Sequence, residues 1–147
     1  MDFMTALDIG ASALSADRLS INVIAMNLAN AKTTRTPEGG HYRRRTVIRA
    51  ATDVDAPFSK HMQSALDREL KGVRILNVLP DARPPKRVYE PGHPDADEEG
   101  MVSYPDINVV EEMTNLMTAQ RNYEANTATI ETVKNMYMQA LNIGRSS

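Results

Sequence analysis

The run from Ile107 to Ile143 contains neither proline nor glycine. Within it Val109, Leu116, Tyr123, Ile130 and Tyr137 recur every seven residues. Met113 and Leu141 lie on the adjoining seam, and Ala119, Val133 and Ala140 widen the stripe. Apolar residues at this period predict a helix. About 36 residues rising 1.5 Å each would span roughly 54 Å. Asn108 with Glu111 three positions later has capping-box spacing, and Gly144 is a natural stop. That length is large for a chain of 147 residues with no tryptophan and 5% aromatics. Sustained heptads over such a length predict pairing as a coiled coil.

The other end supplies a partner. Leu7, Leu14, Ile21 and Leu28 also repeat every seven residues, and Phe3 and Ile24 extend the stripe. Only Asp8, Asp17 and Arg18 are charged between Phe3 and Ala29. A helix apolar on most faces is buried on most faces, so this one needs neighbours beyond its own chain. No Lys or Arg precedes Arg18, so a secretory n-region is missing. Asp8, Asp17 and Arg18 break the apolar run short of the roughly 20 residues of a membrane span.

The middle has a different composition. All eight prolines and five of the seven glycines fall from Pro37 to Pro105. Tyr42–Ala50 reads as a strand, with Tyr42, Arg44, Thr46 and Ile48 on one face. Gly72–Leu79, Arg87–Glu90 and Met101–Tyr104 are further strands, and Ser59–Leu70 a short helix. The stretch from Asn30 to Tyr42 reads as a joint. Pro37 pushes Thr36 out of the helical region, and Gly39 and Gly40 permit a tight reversal.

Charge is near balance, with a net of -2, so no global basic field favours nucleic acid. Arg43, Arg44 and Arg45 form a local basic run, yet Tyr42 is the lone aromatic beside it. From Glu90 to Glu112 there are eight acidic residues and no Lys or Arg. The chain thus carries a basic patch and its own acidic complement in Asp97, Glu98 and Glu99. Asp95, Asp97, Glu99, Gly100 and Asp106 mimic a calcium loop, but Pro91 and Pro94 replace the entering helix and position twelve is Asp. His41, His61 and His93 lack ligand spacing, no cysteine is present, and no nucleophile-elbow pattern occurs. No catalytic, cofactor or metal residue is expected.

Four stretches carry a resemblance. ALDIGASALSADRLSINVIAMNLANAKTTRTPEGG closes a helix on Asn27-Leu28-Ala29-Asn30 and runs into threonines. TRTPEGGHYRRR, YEPGHPDADEEGMVSYPDINVVEEM and QRNYEANTATIETVKNMYMQALNIGR follow. Together they resemble the flagellar basal-body rod protein family in its proximal-rod form, although His41 stands where that family would place proline. The resemblance implies a fold that is mainly α with a small β insert. Its N- and C-terminal helices would pair as a coiled coil, with a β-rich outer domain between them. The boundaries would be 1–31 for the N-terminal inner helix, 32–105 for the insert and 106–147 for the C-terminal inner helix.

The resemblance also implies a non-enzymatic subunit of an axial tube that transmits torque and lines the export channel. Its location would be the basal body across the periplasmic region, reached by type III export without signal cleavage. The implied partners are other copies of the chain, other rod proteins, the export-gate adaptor and the membrane ring, with no cofactor and no nucleic acid. The expected assembly residues are the two heptad seams, from Leu7 to Leu28 and from Val109 to Tyr137, plus the two charge patches. Two other readings fit parts of the sequence. One is a coiled-coil binding or chaperone-like module of a secretion system. The other is a metal-dependent enzyme built around HPDADEE.

Overall fold

The computed structural model describes residues 3–53 and 71–145. The elements in chain order are α1 (Phe3–Ala29), β1 (Arg45–Asp53), β2 (Lys71–Pro80), β3 (Lys86–Tyr89), β4 (Met101–Tyr104) and α2 (Val109–Arg145). The expected helix at Ser59–Leu70 lies outside the described residues. β1 pairs with β2, and β3 pairs antiparallel with β4, with Val88 opposite Val102. Asn108 caps α2 by accepting the Val110 and Glu111 N–H groups on Oδ1 at 3.0 and 3.4 Å. Neither helix is apolar enough over its length to cross a membrane among the described residues.

This overturns the expected fold class. Among the described residues the helices hold 27 and 37 residues, whereas the four strands hold 9, 10, 4 and 4, in two separate two-stranded sheets. The region between the helices is therefore not a β-rich domain. Pro84 and Pro85 lie in the irregular stretch between β2 and β3, Pro91 and Pro94 lie in the turns after β3, and none of the four can donate to a ladder. A two-stranded ribbon is also marginal alone. Here it leans on α1, where the Val73 N–H donates to Ser12 Oγ at 3.1 Å. The coiled-coil expectation falls with it. The most buried residues of α1 are Ala16, Asp17, Ser20, Val23 and Asn27, three of them polar. Leu7, Leu14, Ile21 and Leu28 are half-buried, while Val109, Tyr123 and Tyr137 are exposed. α1 divides its faces between a helix and strands, so burial does not follow one apolar seam.

The chain divides into two compact units. The first comprises Met1–Leu19, Arg49–Leu76 and Ala119–Ser147. In it α1 meets α2 in antiparallel sense. The Phe3 and Tyr137 rings lie 5.1 Å apart, and Asn126 Nδ2 donates to Asp17 Oδ2 at 2.8 Å. Between these points a Cβ on Gly10 would sit 2.8 Å from Ile130 Cγ1, so only glycine lets the helices approach this closely. The second unit comprises Ser20–Ile48 and Asn77–Thr118. It holds the end of α1, the joint, the β3–β4 pair and the start of α2. Along α2, Thr114, Thr118, Thr127, Thr129 and Thr132 each donate their hydroxyl to the carbonyl four residues earlier, at 2.9 Å.

The glycine contact is testable. Adding a methyl in Gly10→Ala costs about 1–3 kcal/mol in overpacking against about 1 kcal/mol of helix propensity gained. In Gly10→Ala/Ile130→Ala that methyl occupies vacated space. The double mutant's loss should then fall short of the summed single losses by about 0.5–3 kcal/mol in urea denaturation. Strict additivity would show that the helices do not touch there.

Candidate assembly interface

The sequence places Asn27 in the last turn of α1, where an amide side chain can reach across to whatever returns from the joint. It is 1% exposed, and all of its hydrogen-bonding positions are used. Nδ2 donates to the Arg45 carbonyl at 2.8 Å and to Glu112 Oε2 at 3.2 Å. Oδ1 accepts the Tyr42 hydroxyl at 3.1 Å and the Arg45 N–H at 2.9 Å. Glu112, also 1% exposed, takes Arg44 Nε and Nη2 on Oε1 at 2.8 and 2.6 Å. Arg44 continues to Thr46 Oγ1 at 3.0 Å and Asp81 Oδ2 at 3.6 Å. Burial pushes the Tyr42 hydroxyl above its ordinary pKa, with Glu112 adding to the rise and Arg45 opposing it. Among the described residues no buried side-chain polar atom lacks a partner.

The joint folds as its sequence requires. Asn30 Nδ2 donates to the Met26 carbonyl at 2.9 Å and closes α1. The Gly39 N–H donates to the Thr36 carbonyl at 3.0 Å, and the Thr36 N–H to the Gly40 carbonyl at 2.8 Å. Gly39 and Gly40 sit at φ 91° and 77°, a region that favours glycine. Thr34 Oγ1 then donates to Asp95 Oδ2 at 2.8 Å and ties the joint to the acidic loop.

The calcium-loop mimic spends its carboxylates internally. Asp97 Oδ1 accepts the Met101 and Glu99 N–H groups at 2.8 and 3.0 Å, and Oδ2 pairs with Arg87. The Met101 N–H, then Arg87 and the Glu99 N–H, hold the Asp97 carboxyl below the usual carboxylate range. Asp81 is lowered likewise by Arg83, whose guanidinium also reaches Asp106 at 3.3 Å. Gly100 turns the loop at φ 75°, where a Cβ would lie 2.9 Å from the Tyr89 ring. Among the described residues no group of three or more His, Asp or Glu is placed to hold a metal ion.

The structure distributes the expected site residues unevenly. Arg44 turns inward to Glu112, whereas the flanking Arg43 and Arg45 side chains are exposed. Asp97, Glu98 and Glu99 are all exposed, with Asp97 paired to Arg87 and Glu99 reaching the same guanidinium at 3.7 Å. Leu116 and Ile130 are half-buried. Sequence reasoning missed Asn27, Glu112 and Asp17 as structural centres. The available signal was a polar residue on a helix face otherwise made of apolar and small ones.

A protein of Borreliella burgdorferi named flagellar basal-body rod protein FlgC is 39% identical over 150 residues, covering 97% of this chain and 98% of its own length. The chain belongs to the FlgC family of flagellar basal-body rod proteins. The FlgC proteins of Salmonella typhimurium and Bacillus subtilis are 39% and 34% identical, covering 99% and 95% of this chain and 100% and 97% of their own. The family described as flagella basal body rod protein matches residues 7–35, which hold most of α1 and the start of the joint. The C-terminal family of the flagellar basal body rod FlgEFG proteins matches residues 98–143, from the acidic loop through most of α2. The chain is a structural subunit of the flagellar basal-body rod, in a family of rod proteins rather than enzymes.

Removing one partner of the buried cluster exposes its cost. Glu112→Ala removes the acceptor of the Arg44 Nε and Nη2 donors and of one Asn27 N–H, and should destabilise by about 3–5 kcal/mol. Arg44→Met/Glu112→Leu, which removes both charges, should lose less than half as much in urea denaturation. Asp97 gives a pH signature. Its depressed folded value means that its stabilisation is present above the ordinary aspartate pKa of about 3.9 and lost as pH falls through the folded value. Asp97→Asn should therefore flatten the stability–pH curve in that acid range, and an unchanged curve would show that the loop does not use this carboxylate.

Proposed function

We propose that the chain assembles with other copies and with neighbouring rod proteins into an axial tube that transmits torque and lines the export channel. Residues 1–31 and 106–147 supply its inner layer and residues 32–105 an outer one. The observation that carries this reading is the surface of α2. Val110, Met113, Met117, Met136 and Ile143 are 73%, 52%, 55%, 58% and 69% exposed, more apolar surface than one helix of a monomer ordinarily leaves wet. The half-buried seam from Leu7 to Leu28 supports the same reading, because one chain covers it incompletely.

The charge patches fit head-to-tail contacts, in which one surface of a subunit meets a different surface of the next. With Arg44 and Asp97 committed internally and Glu99 shared with Arg87, Arg43 and Arg45 facing Glu98 and the open side of Glu99 on a neighbour carry the proposed contact. Each exposed pair is worth about 0–1 kcal/mol, so the effect comes from repetition and register rather than from any one pair. The export-gate adaptor and membrane ring are the proposed neighbours at the rod's base, across the periplasmic region, after export without signal cleavage. Near full-length similarity to FlgC proteins disfavours a secretion chaperone.

Met113→Glu/Met117→Glu places two charges in the proposed contact. Purified variant chain should keep its helical circular dichroism. Cells carrying it as their sole copy should lose swimming and lack rods in isolated basal bodies. Wild-type swimming with both glutamates in place would mean that this face of α2 does not meet a neighbour.

A further inference from the structure

Three contacts between α1 and α2 in the first unit fall on one column of α1. Phe3, Gly10 and Asp17 are spaced by seven residues, and they meet Tyr137, Ile130 and Asn126. The first two contacts are apolar and depend on shape. The third is a carboxylate only 2% exposed, which accepts Asn126 Nδ2 from α2 at 2.8 Å and Arg49 Nη1 from β1 at 2.9 Å.

We infer that Asp17 is the register-determining residue of this helix pair, through its hydrogen bond to Asn126. Apolar residues that repeat every seven positions look alike after a seven-residue slip, so they favour pairing without fixing which pairing. Sliding α2 by seven in either direction would bring Val133 or Ala119 opposite Asp17. Neither can donate a hydrogen bond. The carboxylate would then lose its α2 donor while still buried, a state that proteins avoid more strongly than they reward a good pair. A buried polar contact can therefore reject wrong registers even where it adds little to the stability of the right one. Arg49 holds the other carboxylate oxygen from β1, so the same residue ties the register to the strand.

The absence of cysteine from the chain gives a clean readout. In the full-length protein, Gly10→Cys/Ile130→Cys reports the observed register by an intramolecular disulfide at high dilution. Gly10→Cys/Tyr137→Cys and Gly10→Cys/Tyr123→Cys report the two slipped ones. With Asp17 and Asn126 intact, only the first pair should cross-link. On adding Asp17→Leu/Asn126→Leu, a slipped pair should form at a tenth or more of the yield of the first. Cross-linking confined to 10/130 in that background would overturn the inference and assign the register to other contacts, such as those of Asn27 and Glu112. A second variant keeps the carboxylate and moves its donor. Asn126→Val/Val133→Asn preserves composition and should transfer the disulfide from 10/130 to 10/137. A disulfide that stays at 10/130 overturns the inference even if the leucine variant fails to fold.

Discussion

Four hydrogen bonds on one amide side chain hold the second unit together. Asn27 can be satisfied in its buried position only when two other pieces of chain arrive: the return from the joint, with the Tyr42 hydroxyl and the Arg45 backbone, and α2, with the Glu112 carboxylate. Glu112 in turn accepts burial only because Arg44 reaches it with two N–H groups. The end of α1, the return from the joint and the first turn of α2 are thus tied by one network rather than by apolar contact. Such a network is valuable complete and costly in part, which makes its formation cooperative.

The apolar core is correspondingly slight. Among the described residues the buried aliphatic side chains are Ala16, Val23, Val102 and Ala119, none larger than valine. The long side chains that would build a core in an ordinary domain lie on the outside of α2. Polar contacts inside and apolar surface outside suit a subunit that fixes its own geometry first and leaves most of its apolar surface for neighbours.

Much of this was legible in the sequence. The ends of α1 and β4 match the apolar pattern to the residue, because Asn30 and Pro105 bound them chemically. The joint was legible from Pro37, Gly39 and Gly40, and the loop from Gly100. What the pattern could not show was which side of α1 would be most covered. Heptad spacing finds a face for one partner, and α1 has two kinds. Nor could it separate Arg44 from Arg43 and Arg45. Three identical letters in a row alternate direction in extended backbone, and only the position of Glu112 decides which one turns inward.

The threonines of α2 carry a consequence for how water meets this helix. Each of the five folds its hydroxyl back onto its own backbone. The donor that would have bound solvent is already occupied. At these five positions the surface therefore offers water only oxygen lone pairs and no hydroxyl proton. Drying it against another subunit strips away fewer bound waters than its letters suggest.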